Sequence, residues 1–84
     1  MSIDNGPRTS IEAQLALYWC ELLGVEAVKR DDHFLSLGGN SMTATILANR
    51  IEYELGVRLT MEDLFTTLGG MSLACESLME EAGD

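Results

Sequence analysis

Apolar residues recur along this chain at helical spacing. Ile11, Leu15, Tyr18 and Leu22 follow one another at intervals of 4, 3 and 4 residues, which is one face of a helix. Trp19 and Leu23 flank that stripe, whereas Leu17 and Cys20 fall off it. Thr9 and Glu12 stand at capping-box spacing, so Thr9 predicts the start of this helix. Gly24 and Val25 predict its stop, a left-handed glycine followed by an apolar residue that packs back. Ala44, Leu47, Ala48, Ile51 and Leu55 predict a second helix, opened by Asn40-Ser41 and closed by Gly56-Val57. Between the two, Glu26 to Asn40 has no helical period and reads as a long loop anchored by Phe34 and Leu37.

Thr60 and Asp63 predict a cap for a short helix over Met61 to Phe65, with Leu64 and Phe65 turned inward. Gly69-Gly70 reads as a break in the chain. Met71, Ala74, Cys75, Leu78 and Ala82 predict a last amphipathic helix, with Gly69 or Ser72 as its cap. Alternating β-branched runs that would argue for strands do not occur. The expected fold class is all-α, a bundle of three main helices and one short third helix. Phe34, Leu47, Ile51, Leu55, Leu64 and Phe65 are the expected core. One domain over residues 9–82 is expected between a polar tail, 1–8, and a C-terminal tail, 83–84.

Composition narrows the function. The chain has 84 residues, 46% hydrophobic and 23% charged, which suits one small globular domain rather than a disordered segment. Fourteen acids against five bases give a net charge of −9, which repels nucleic-acid phosphates and anionic membranes and favours basic protein surfaces. Met1 to Arg8 lacks the apolar run of a signal peptide, and Gly38-Gly39-Asn40-Ser41 interrupts the longest uncharged run, Phe34 to Asn49, far short of a membrane span. Cys20 and Cys75 are too few for a disulfide framework and lack metal-ligand spacing, so reduced thiols in the cytoplasm are expected.

Ser41 is the candidate for chemistry. It is not a nucleophile elbow, because Gly39-Asn40-Ser41-Met42-Thr43 lacks the second glycine and no strand precedes it. His33 is the single imidazole and lies in the loop, which makes a triad unpromising. Asp31-Asp32 lacks the later acids and central glycine of a calcium loop and reads as a solvated turn whose side chain accepts backbone N–H bonds. From local chemistry Ser41 is either a plain helix-start residue or a hydroxyl placed to hold a phosphate at the positive end of a helix.

The stretch Asp31-Asp32-His33-Phe34-Leu35-Ser36-Leu37-Gly38-Gly39-Asn40-Ser41 resembles the modification motif of the peptidyl carrier, or thiolation, proteins of nonribosomal peptide synthetases. Leu15-Ala16, Trp19 and Glu21-Leu22-Leu23-Gly24-Val25 resemble the family's first helix. Arg50-Ile51, Glu54-Leu55-Gly56-Val57, Leu59 and Asp63-Leu64-Phe65 resemble the end of its second helix and its short third one. Asn40 stands where the family usually has histidine or aspartate, and the segment after Phe65 lacks the family's proline.

The resemblance implies an acyl-carrier-like four-helix bundle that is not itself an enzyme. It implies a 4′-phosphopantetheine arm, derived from coenzyme A and attached to Ser41 by a magnesium-dependent phosphopantetheinyl transferase. The arm would carry an aminoacyl or peptidyl thioester among adenylation, condensation or tailoring enzymes. The implied protein is a cytoplasmic monomer that binds no nucleic acid, membrane or metal. Met42, Ile46 and Met61 fall outside the buried stripes and are expected to form an apolar docking patch, rimmed by Glu52, Glu54, Glu62 and Asp63. Two alternatives remain open at this point, a polyketide-type acyl carrier and an unmodified acidic helical interaction module.

Overall fold

The computed structural model describes residues 10–82. The predicted tails, 1–8 and 83–84, and the Thr9 end of the predicted first cap lie outside the described residues. The element order is α1 (Ser10–Leu23), a 3-10 turn (Leu35–Leu37), α2 (Ser41–Leu55), α3 (Met61–Leu64) and α4 (Leu68–Ala82). Helix α1 packs against both α2 and α4, and α3 bridges α2 and α4. Strands are absent among the described residues, where a lone bridge pairs His33 with Thr67.

Local rules explain most boundaries. Gly24 and Gly56 end α1 and α2 with φ of 70° and 76°, a region that L side chains rarely adopt. Val57 is buried and Val25 half-buried behind those stops, as predicted. Helix α3 opens on the expected capping box, in which Asp63 N–H donates to Thr60 Oγ1 at 3.2 Å and Thr60 N–H donates to Asp63 Oδ2 at 3.1 Å.

Three boundaries or faces differ from expectation. The buried face of α1 is Glu12, Leu15, Tyr18 and Trp19, so the helix is turned toward Trp19, while Ile11 and Leu22 are half-buried. The long loop is not wholly irregular, since Leu35–Leu37 forms a 3-10 turn and Val28 is a further buried anchor. Gly69-Gly70 does not break the chain, and neither Gly69 nor Ser72 caps α4. Thr67 does, its hydroxyl accepting from Gly70 N–H at 3.0 Å. The two glycines lie inside the first turn because neighbours crowd them. A Cβ on Gly69 would stand 3.2 Å from Arg30 atoms, and one on Gly70 would stand 2.7 Å from Thr66 Oγ1.

The long loop is stitched to the start of α4. Leu68 N–H donates to Asp32 O at 3.0 Å, Gly69 N–H to Arg30 O at 2.8 Å, and Phe34 N–H to Thr66 O at 3.0 Å. Backbone donors that a helix start leaves unpaired are thereby satisfied. The same loop is tied to α1 by an ion pair, Arg30 Nη2 to Glu12 Oε2 at 2.9 Å. A second cation, Arg50 of α2, lies 4.9 Å from the Tyr18 ring centroid and 2.8 Å from Glu21, joining α2 to α1.

Phe34, Leu47, Ile51 and Leu64 are fully buried as expected, whereas Leu55 and Phe65 are half-buried. The Phe34 ring meets Trp19 edge-on at 5.2 Å and Phe65 tilted at 6.2 Å between centroids. Phe34→Ala is therefore expected to cost about 3–5 kcal/mol, and Phe65→Ala less, because that side chain keeps contact with water. Urea unfolding of both variants checks the order, and equal losses would contradict the packing.

Cys75 is buried and Cys20 half-buried, and both are free thiols. Burial pushes the Cys75 thiol up to about 11, and Asp63 and Glu76 add to the shift. The native state then holds this proton more tightly than the unfolded chain. The Cys75 contribution to stability is complete below the ordinary thiol value, about 8.5, and is lost as pH rises toward about 11. A thiol reagent applied to the folded protein at pH 8 is expected to label Cys20 well before Cys75.

A serine on a core-anchored turn

The candidate site is the junction between the long loop and α2. Phe34 O accepts from Leu37 N–H at 3.3 Å and from Gly39 N–H at 3.0 Å, which folds the loop back under the aromatic core. Gly38 follows with φ of 101° and donates its N–H to Leu35 O at 3.2 Å. Only glycine adopts that angle without strain. Gly39 is glycine for another reason. A Cβ there would stand 2.4 Å from Phe34 Cδ2 and Cε2.

Asn40 then caps α2, with extended backbone at φ −151° and ψ −174°. Its Oδ1 accepts from Thr43 N–H at 3.0 Å, and its own N–H donates to Thr43 Oγ1 at 2.8 Å. This reciprocal cap was legible only in part. Asn40 was expected at the helix opening, but the partner three residues on is threonine rather than the usual glutamate or glutamine. Ser41 is consequently the first residue of α2 and not its cap, and it is exposed.

The other sequence candidates separate cleanly. His33 is engaged locally, its Nδ1 accepting from Leu35 N–H at 3.2 Å. Asp32 Oδ2 accepts from Lys29 N–H at 2.8 Å, as the turn reading expected. No group of three or more metal-ligating side chains occurs among the described residues. Met42, Ile46 and Met61 are 73%, 45% and 45% exposed, so all three expected patch residues reach solvent. Of the expected rim acids, Glu52 is paired with Arg58 at 2.9 Å and Asp63 is occupied by the α3 cap. Glu54 and Glu62 remain exposed.

The site suits a phosphodiester. Phe34 to Asn49 carries no side-chain charge to repel one. Ser41 lies at the positive end of a 15-residue helix, where a negative group is favoured. The residues present therefore fit a phosphopantetheine arm on the Ser41 hydroxyl.

Comparison with known proteins agrees with this geometry. The family model described as "Phosphopantetheine attachment site" matches residues 13–75. Surfactin synthase subunit 3 of Bacillus subtilis (strain 168) is 41% identical over 69 residues, covering 80% of this chain. The chain spans 5% of that relative's length. Among solved structures, a peptidyl carrier protein in complex with the phosphopantetheine transferase Sfp and coenzyme A superposes with a TM-score of 0.82 at 25% identity, over 88% of this chain and 99% of that one. BlmI, a type-II acyl carrier protein of Streptomyces verticillus involved in bleomycin biosynthesis, superposes with a TM-score of 0.75 at 31% identity, over 81% and 84%. A nonribosomal peptide synthetase of Curvularia clavata, 46% identical over 70% of this chain, and the peptidyl carrier structures favour the peptidyl reading over the polyketide and unmodified-module alternatives. A match across residues 13–75, together with these relatives, shows that the chain belongs to the phosphopantetheine attachment site family, as a carrier domain of the peptidyl type.

Proposed function

We propose that Ser41 is the attachment residue for a 4′-phosphopantetheine arm, and that the domain thereby carries an aminoacyl or peptidyl group in nonribosomal peptide assembly. The observation that carries this reading is the exposed Ser41 hydroxyl at the first position of α2, on a turn fixed to the core by Phe34 and Gly39. A phosphopantetheinyl transferase using magnesium and coenzyme A is the partner in the attachment. Ser41 Oγ attacks the pantetheine-bearing phosphorus of coenzyme A. The P–O bond within the diphosphate breaks, adenosine 3′,5′-bisphosphate leaves, and the hydroxyl proton passes to a base on the transferase. Once attached, the arm supplies a terminal thiol that holds the cargo as a thioester.

The chain's own residues present that arm and meet the enzymes that use it. Adenylation, condensation and tailoring enzymes are the proposed partners. Met42, Ile46 and Met61 offer an apolar docking surface, and unbranched methionine side chains repack against different partners at little cost. The exposed acids Glu54 and Glu62 contribute long-range attraction to basic partner surfaces. Residues 9–82 form the carrier domain, which acts as a monomer in the cytoplasm. Among the described residues no helix is long and apolar enough to cross a membrane.

Incubation with coenzyme A and a promiscuous transferase is expected to add one phosphopantetheinyl mass to the intact protein. Ser41→Ala is expected to fold and gain none, because the Asn40 cap does not use the Ser41 side chain. Mass gain by the alanine variant would remove Ser41 from this role. Met42→Ala and Met61→Ala are expected to keep their thermal midpoints and to slow transfer to or from a cognate partner. A loss of about 1 kcal/mol or more marks each as a docking contact, and unmutated rates in both would exclude the patch.

A further inference from the structure

We propose that Phe34 is a positioning residue for arm attachment, acting on Ser41 through Gly39; the inference rests on Ser41 being the attachment residue. The Phe34 ring occupies the space that a side chain at residue 39 would fill. A Cβ there would stand 2.4 Å from two ring atoms and 2.8 Å from Phe34 O. Gly39 N–H donates to that same carbonyl oxygen at 3.0 Å. The Gly39 peptide is thus held by shape and by a hydrogen bond to one residue. Phe34 in turn is fully buried and braced by Trp19 and Phe65.

Only Asn40 separates Gly39 from Ser41, and Asn40 is clamped to Thr43 through both its N–H and its side chain. No freely rotating residue lies between the aromatic core and the Ser41 backbone. The two glycines have different tasks. Among the described residues nothing lies within 4 Å of a Cβ added at Gly38, which is needed for its φ of 101°, while Gly39 is needed for its closeness to Phe34. A transferase docking on α2 therefore meets a serine whose backbone is placed from inside the domain. Phosphoryl transfer requires the attacking oxygen and the leaving oxygen roughly in line. A displacement of about 1 Å can cost on the order of 100-fold in rate.

The test is steady-state kinetics of arm attachment with coenzyme A and a promiscuous transferase, with the carrier concentration varied. The variants are Gly39→Ala, Phe34→Leu and the double variant. Circular dichroism and a thermal melt first establish that each is folded at the assay temperature. Gly39 lies outside the positive-φ glycines, so alanine there acts through its contacts with the Phe34 ring and carbonyl oxygen. Gly39→Ala is expected to lower kcat roughly 10- to 100-fold with KM for the carrier within about twofold, since Met42, Ile46 and Met61 are unaltered. The double variant is expected to react faster than Gly39→Ala, because the ring contacts are gone, yet slower than wild type, because the 2.8 Å contact with the residue 34 carbonyl oxygen remains. Unchanged kcat in folded Gly39→Ala, or a double variant as fast as wild type, overturns the proposal. If Gly39→Ala does not fold, Phe34→Leu decides. Lower kcat at constant KM supports the positioning role, and wild-type kinetics overturn it. A wild-type chain that takes no arm overturns the reading of Ser41 and this inference with it, whereas wild-type attachment with unaffected variants overturns this inference alone.

Discussion

The Phe34 ring is completely buried, and the turn that carries Ser41 is bonded to its backbone carbonyl. The ring sits between Trp19 of α1 and Phe65 beyond α3, and its backbone carbonyl gathers the N–H groups of Leu37 and Gly39. One residue therefore joins the hydrophobic core to the turn that presents Ser41. Aromatic contacts of this kind are worth about 0.5–1.5 kcal/mol beyond the area they bury. In a domain whose whole margin is of the order of 5–15 kcal/mol, such a residue counts for much.

The remaining loop is held by polar bonds rather than by a stripe. Arg30, Asp32 and Phe34 each exchange a backbone bond with the segment from Thr66 to Gly69. Arg30 also reaches Glu12, whose carboxylate is buried on α1. A buried carboxylate is costly unless a cation and hydrogen bonds compensate it. The pair thus fixes where the loop crosses α1, and that crossing places Phe34. The glycines in the first turn of α4 belong to the same arrangement. They let the helix start come close to Arg30 and Thr66.

The helices were legible because their signals are local. Periodic apolar residues, Gly24, Gly56 and the Thr60–Asp63 box each act within a few residues of themselves. Ser41 stood out as a candidate through the motif around it, since a serine at a helix start is otherwise ordinary chemistry. The features that escaped depend on distant partners. The pairing of Glu12 with Arg30, far along the chain, leaves no local signal. Gly69-Gly70 resembles a break until the close approach of Arg30 and Thr66 explains it. Trp19 flanks the stripe on α1, yet Phe34 draws it to the centre of the core. The assignment of separate tasks to Gly38 and Gly39 likewise needs the position of a ring five residues upstream of Gly39.

The core holds the Ser41 turn in a preset place, and the proposed attachment of the arm there is expected to leave the fold unchanged. Amide correlation spectra of the protein before and after arm attachment test it most directly. The buried Trp19 indole N–H, which has no hydrogen-bond partner among the described residues, provides a reporter from the core. The largest shifts are expected at Ser41 and its neighbours on the turn and the first turn of α2, with the Trp19 indole signal unmoved. Shifts centred on another residue, or a displaced Trp19 indole signal with changes spread through α1 and α4, would contradict it.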